Sequence, residues 1–178
     1  MEREKEVKVL GIDIEKLEEK LINLGAVKIS EENQKNILIE SDSTASIPEG
    51  SYLRIREIPS ADEEKSVITF KKNIENDNLR ENLEFTSEIL DTENMLKILK
   101  EIGYGNYSIG YKYRISYIYE NCRFDLDRWD EETYPYPYAE IELRDEVDLD
   151  KILQKLEIDK SCISKKSIKE LQDELNRK

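Results

Sequence analysis

The chain has 178 residues, 38% apolar and 39% charged, which suits one domain with an adequate core and crowds two. Its net charge of −13 argues against a protein that coats nucleic acid, and the absence of histidine removes every His-based triad and His-ligated zinc site. No run nears the ~18 apolar residues of a membrane span, the start is charged from Glu2 with no apolar leader, and Cys122 and Cys162 form neither a metal spacing nor a disulfide framework, so a cytoplasmic location is expected.

The first strand is expected over 3–9, with Glu4, Glu6 and Lys8 at alternate positions and therefore on one face. A helix follows from the N-cap Asp13, with Ile14, Leu17, Leu21 and Leu24 at helical spacing, and stops at Gly25. Strands are then expected over 34–40, 51–57, 66–72 and 80–87. Of these, Leu53-Arg54-Ile55-Arg56 alternates basic with apolar residues, and Thr69-Phe70-Lys71 does so with a single lysine. A second helix, from about Thr92 to Gly103, carries Met95, Leu96, Leu99 and Ile102. Strands over 110–119, 122–128 and 138–144 bring Lys112 with Arg114, then Asp127, then Glu140 with Glu142. Helices over about 148–157 and 164–176 complete the chain, and their apolar stripes read as core contacts.

Charge sorts by strand: three strands are basic, and the first and last are acidic. A polar face in water is common for one antiparallel strand but gives no reason for such sorting. A sheet curled into a barrel does, because it sets acidic and basic strands across a lumen. That lumen must be wet or occupied, since unpaired buried charge is costly. The two Glu-x-Glu pairs repel unless a cation sits between them, and a hard divalent metal suits oxygen ligands. A polyanion with its metal ions satisfies both signs. The expected fold class is therefore α+β, an eight-stranded antiparallel β-barrel with helices packed outside.

These residues resemble the CYTH superfamily, the triphosphate tunnel metalloenzymes, which include class IV adenylate cyclases, thiamine triphosphatases and inorganic triphosphatases. The resemblance runs in order through Glu4-x-Glu6-x-Lys8, Leu53 to Arg56, Thr69 to Lys71, Lys112-x-Arg114, Leu126-Asp127, Glu140-Ile141-Glu142 and Lys166-Ser167, and it spans nearly the whole chain as a single domain over 1–178. It implies a barrel in which Glu4, Glu6, Glu84, Asp127, Glu140 and Glu142 hold one or two Mg2+ or Mn2+ ions. It further implies that Lys8, Arg54, Arg56, Lys71, Lys112, Arg114 and Lys166 grip triphosphate oxygens, with Glu4, Glu6, Lys8 and Glu142 at the reacting centre.

Two departures matter. The strand that the resemblance gives as Arg-x-Glu-x-Glu is Arg80-x-Asn82-x-Glu84, an amide in place of one carboxylate. The segment from Arg128 to Ala139 lacks the Gly-Leu-Gly of cyclase-like members, and its Trp129 and tyrosines suit either stacking on a ring or, the weightier reading, a packed Pro-Tyr loop closing a barrel end. The leading expectation is a metal-dependent hydrolase of inorganic triphosphate or a small organic triphosphate. The alternatives are a class IV adenylate cyclase and a non-catalytic polyphosphate or nucleotide binding module. The expected partner is a small-molecule triphosphate, with no nucleic acid polymer and no membrane; a homodimer is admitted, though residue pattern does not set the oligomeric state.

Overall fold

A computed structural model describes residues 2–42, 45–59, 65–74, 79–144 and 147–177. In chain order the elements are β1 (Glu2–Val9), α1 (Ile14–Asn23), β2 (Val27–Glu40), β3 (Tyr52–Ile58), β4 (Lys65–Ile74), β5 (Arg80–Ile89), α2 (Thr92–Glu101), β6 (Asn106–Tyr119), β7 (Cys122–Trp129), β8 (Tyr138–Leu143), α3 (Leu149–Leu156), a 3-10 turn (Lys160–Cys162), β9 (Ile163–Ser164) and α4 (Ile168–Asn176). Every strand pairing is antiparallel, and the order β5-β4-β3-β2-β6-β7-β8-β1 closes on itself because β1 also pairs with β5. The expected eight-stranded barrel is present, and the two-residue β9 adds to β1 at Lys8 and Val9.

Alternation places the charges inside and the apolar residues outside. Val7 and Val9 point away from the lumen, into an apolar layer with Leu17, Leu21, Phe124, Ile141 and Ile152 beneath α1 and α3. Ile37, Ile39 and Ile55 pack under Leu99 of α2, and Tyr134 with Tyr138 under Leu171 of α4. Burying the stripes of α1, α2 and α3 therefore holds the barrel wall from without, whereas α4 borders the lumen, with Tyr138 and Ile168 lining the cavity. The first two helices begin on carboxylate caps: Asp13 accepts from the Lys16 N–H at 3.1 Å, and Asp91 from the Asn94 N–H at 2.9 Å.

Boundaries differ from expectation at β6, which starts at Asn106 rather than 110, at β2 and at the last helix. β2 starts at Val27 rather than 34, because the polar run Ser30 to Gln34 pairs with β6 past a register shift between Lys28 and Ser30; its side chains carry no apolar alternation to announce it. The last helix starts at Ile168 rather than 164, where Ser167 and Glu170 form a capping box. No helix among the described residues is long and apolar enough to cross a membrane.

Candidate functional site

A cavity of about 970 Å3 runs through the barrel. Glu4, Glu6 and Lys8 reach it from β1, Arg54 and Arg56 from β3, Lys71 from β4, Glu84 from β5, Lys112 and Arg114 from β6, and Glu140 and Glu142 from β8. The i, i+2 spacing along each strand brings them to the inner face, and registers such as Glu6 opposite Glu142 set them side by side.

Two expected residues do not line the cavity. Lys166 is exposed and its ammonium pairs with Glu174, because the helix starts after it; Ser167 and Lys169 line the cavity instead. Asp127 is on the lumen-facing side of β7 but fully buried beneath the cations, its carboxylate accepting two bonds from the Arg114 guanidinium at 2.6 Å and one from Lys112 at 3.0 Å. Those cations occupy the oxygens that a metal would need.

Sequence reasoning passed over three further side chains. Arg80 is buried, lies 3.6 Å from Glu6 and donates to the Gly50 carbonyl at 2.9 Å. Asp125 binds Arg114 at 2.5 Å, and Arg123 in turn binds Asp125 at 2.8 Å. The alternation that marked Glu4 and Glu6 would have found them, since 80, 82 and 84 share one face and so do 123, 125 and 127. Asn82, fully buried opposite Glu4, has no hydrogen-bond partner among the described residues for its amide oxygen or nitrogen.

The electrostatics divide the lumen. On one side, Arg114 is satisfied: burial works against its charge, but Asp125, Asp127 and Glu140 hold its proton affinity well above the usual value. Arg54 and Arg56 have no carboxylate in ion-pair range among the described residues; Arg56 donates only to the Asn36 side-chain oxygen at 3.0 Å. Burial, then the neighbouring Arg54 and Arg114, push Arg56 down to about 9, and burial with Arg114 pushes Lys112 down to about 7. Cations that crowd each other in a buried wall call for an anion.

On the other side carboxylates outnumber their partners. Lys71 pairs with Glu4 and, at 2.6 Å, with Glu84; Lys8 pairs with Glu140 at 3.0 Å and Glu6 at 3.7 Å. Burial opposes the charge of Glu140, yet Lys8, Arg114 and Lys112 hold it well below the carboxylate range. Among the described residues the only ion pair of Glu142 is with Arg144, at 4.0 Å, and burial followed by the Glu4 charge raises its proton affinity. Glu4 is likewise raised, by burial first, against the pull of Lys71 and with the push of Glu6 and Glu140. Among the described residues no three metal-ligating side chains converge on one point, since Lys8 and Lys71 stand among them. The donor set, hard oxygens with negative charge to spare, nevertheless suits a divalent ion at Glu4, Glu6 and Glu142.

The family model for the CYTH domain matches residues 2–171. Among solved structures, the PH1012 protein from Pyrococcus horikoshii OT3 is 24% identical, with a TM-score of 0.77 over 94% of this chain and 98% of that one. A candidate adenylate cyclase from Vibrio parahaemolyticus is 16% identical, with a TM-score of 0.75 over 96% of this chain and 97% of that one. HpAC1 from Hippeastrum, described as having a dominant triphosphatase activity, is 16% identical, with a TM-score of 0.63 over 94% of this chain and 91% of that one. At these identities the structural likeness establishes the barrel. No curated protein matches the chain.

Proposed function

The chain belongs to the CYTH domain family, and on that premise we propose that it is a metal-dependent hydrolase of inorganic triphosphate or a small organic triphosphate. The observation that carries this reading is the cation cluster of Arg54, Arg56 and Lys112, in which neither arginine has a carboxylate in ion-pair range among the described residues and Lys112 shares Asp127 with Arg114, across the lumen from Glu142, whose charge burial disfavours. A polyanion with a divalent ion relieves both walls at once.

In this reading the guanidiniums of Arg54 and Arg56 grip phosphate oxygens in forked hydrogen bonds, and Lys112 adds a point charge beside them. Lys8 and Lys71, tied to Glu140, Glu6, Glu4 and Glu84, keep the acidic wall in place between turnovers. Glu4, Glu6 and Glu142 would hold Mg2+ or Mn2+, which when bound neutralises phosphate oxygens and acidifies water. Water oxygen bonds to the terminal phosphorus as the bridging P–O bond breaks, and the diphosphate leaves with charge that Arg54, Arg56 and Lys112 offset. Positioning and charge neutralisation supply the catalysis, with no covalent intermediate on the chain. Asp127 acts here by fixing Arg114 and Lys112. The cytoplasm is the proposed location.

The test is to incubate purified protein with Mg2+ or Mn2+ and either inorganic triphosphate or ATP, and to follow products. Orthophosphate is the expected product. Cyclic AMP with pyrophosphate would replace the reading with cyclisation, and tight binding without product would make the tunnel a binding module.

A further inference from the structure

The strands of the barrel differ in length, and this leaves one edge of β6 open. β2 and β6 pair from Val27 and Ile118 at one end to Glu40 and Asn106 at the other, but β7 joins β6 only from Lys112 onward. Residues 106–110 of β6 therefore have β2 on one side and, among the described residues, no strand on the other. Asp130 marks where the open edge stops: its N–H donates to the Tyr111 carbonyl at 2.8 Å, and its carboxylate accepts from the Tyr111 N–H at 2.5 Å. Both backbone groups of Tyr111 thus point to the open side. By the period of two so do those of Tyr107 and Ile109, while Ser108 and Gly110 turn theirs to β2. The side chains of this edge are accessible, Tyr107 being 50% and Ile109 46% exposed.

Other open edges of the sheet are guarded by charge. Residues 27–34 of β2 lie beyond the pairing with β3 and carry Lys28, Glu31 and Glu32; residues 85–89 of β5 lie beyond the pairing with β1 and carry Glu88. Charges of this kind keep a strand edge from pairing with a second chain. Residues 102–111 carry none, and they form the longest uncharged run in a chain that is 39% charged. Two copies of a chain with a net charge of −13 repel each other over most of their surface, and least where this edge meets its own copy.

We infer that two copies of this chain pair edge to edge through residues 106–110 of β6, antiparallel about a two-fold axis at Ser108. The axis follows from the length of the open stretch, which is centred on Ser108 and pairs with itself in full only there: Asn106 meets Gly110, Tyr107 meets Ile109, and Ser108 meets its own copy. Tyr107 and Ile109 of opposite chains exchange both N–H···O bonds, and they set an aromatic ring against a β-branched side chain on the outer face. An axis at Ile109 would instead place Tyr107 against Tyr111, whose backbone groups Asp130 already holds. The interface is isologous and closes the edge, and it prolongs the tunnel wall, because Ser108 and Gly110 line the cavity.

The test is sedimentation equilibrium of the full chain at up to about 0.5 mM, where the wild type should show monomer in exchange with dimer. Tyr107→Lys sets a charge at the seam on an exposed side chain and should weaken the dimer by about tenfold or more. Ile109→Pro removes the N–H that faces the open side, spares the ladder to β2, and should weaken it likewise. Val27→Lys and Phe85→Lys, on the other open edges, should leave it unchanged. Ser108→Cys, incubated with oxidised glutathione, should give a disulfide-linked dimer that the wild type, with Cys122 and Cys162, does not, because directly opposed positions of this kind lie ~4.5 Å apart at Cα, within disulfide reach. A wild type that stays monomeric overturns the inference and leaves the edge to an extended segment of another protein. A dimer that survives both Tyr107→Lys and Ile109→Pro, or a Ser108→Cys variant that links no more than the wild type, overturns it as well.

Discussion

Lys112 should make triphosphate binding take up a proton. Its ammonium is buried and lies near Arg114 and Arg56, and Asp127 at 3.0 Å is already shared with Arg114, so Lys112 titrates near 7 instead of 10.5. At pH 8 the free protein holds this proton only ~10% of the time. A bound polyanion supplies the missing counter-charge and returns the group towards its ordinary range, so binding at pH 8 takes up ~0.9 proton at this site, and ~0.5 at pH 7. Affinity should correspondingly fall by up to about 1.4 kcal/mol, or tenfold, per pH unit above ~7. Stability of the free protein has the opposite sign: between about 7 and 10.5 the unfolded chain binds more protons, so the penalty for burying Lys112 charged eases as pH rises through that window. Calorimetry in EDTA, in two buffers of different ionisation enthalpy, counts the protons, and Lys112→Met, which keeps the packing stem, assigns them. An affinity that stays flat from pH 7 to 9, or an uptake undiminished in Lys112→Met, would refute the reasoning.

Arg56→Met removes a buried cation with no carboxylate partner, so the melting temperature of the free protein should hold or rise while triphosphate affinity falls by about 1.5–3 kcal/mol, roughly tenfold to a hundredfold; thermal denaturation beside calorimetry checks it, and a variant that binds normally but melts early would make Arg56 structural. Glu142→Gln removes charge from a carboxylate that burial and Glu4 already disfavour, so the metal-free variant should melt no lower than wild type, while the rise in melting temperature on adding Mg2+ or Mn2+ should shrink; a wild type indifferent to both ions and to EDTA would return the carboxylates to their lysine partners alone.

The barrel was legible because its signal is a period of two that needs no tertiary information. Glu4, Glu6 and Lys8 alternate with Val7 and Val9, and the same rule holds through Arg54, Ile55 and Arg56, so one face had to be wet and the other packed. Closure was inferable from the sorting of charge between strands, but the register that puts Glu6 opposite Glu142 was not, because it depends on which strand edges meet. The first half of β2 escaped for a related reason. Residues 30–34 are polar on both faces, and only the long pairing with β6 makes them strand.

Composition could nominate charged residues for the lumen, but it could not tell which of them would find partners. Asp127 and Glu142 look alike in sequence, each an acid that follows an apolar residue and an acid two places before it on a late strand. In the fold, Asp127 receives three hydrogen bonds from Arg114 and Lys112, while Glu142 faces Glu6 with Arg144 4.0 Å away. The same division separates Arg114, held by three carboxylates, from Arg56, held by an amide oxygen. Satisfied pairs build the wall, and the unsatisfied charges on either side of the lumen mark where a ligand of mixed sign belongs. That distinction exists only in three dimensions, because one intervening guanidinium decides whether a buried carboxylate is a strut or a ligand.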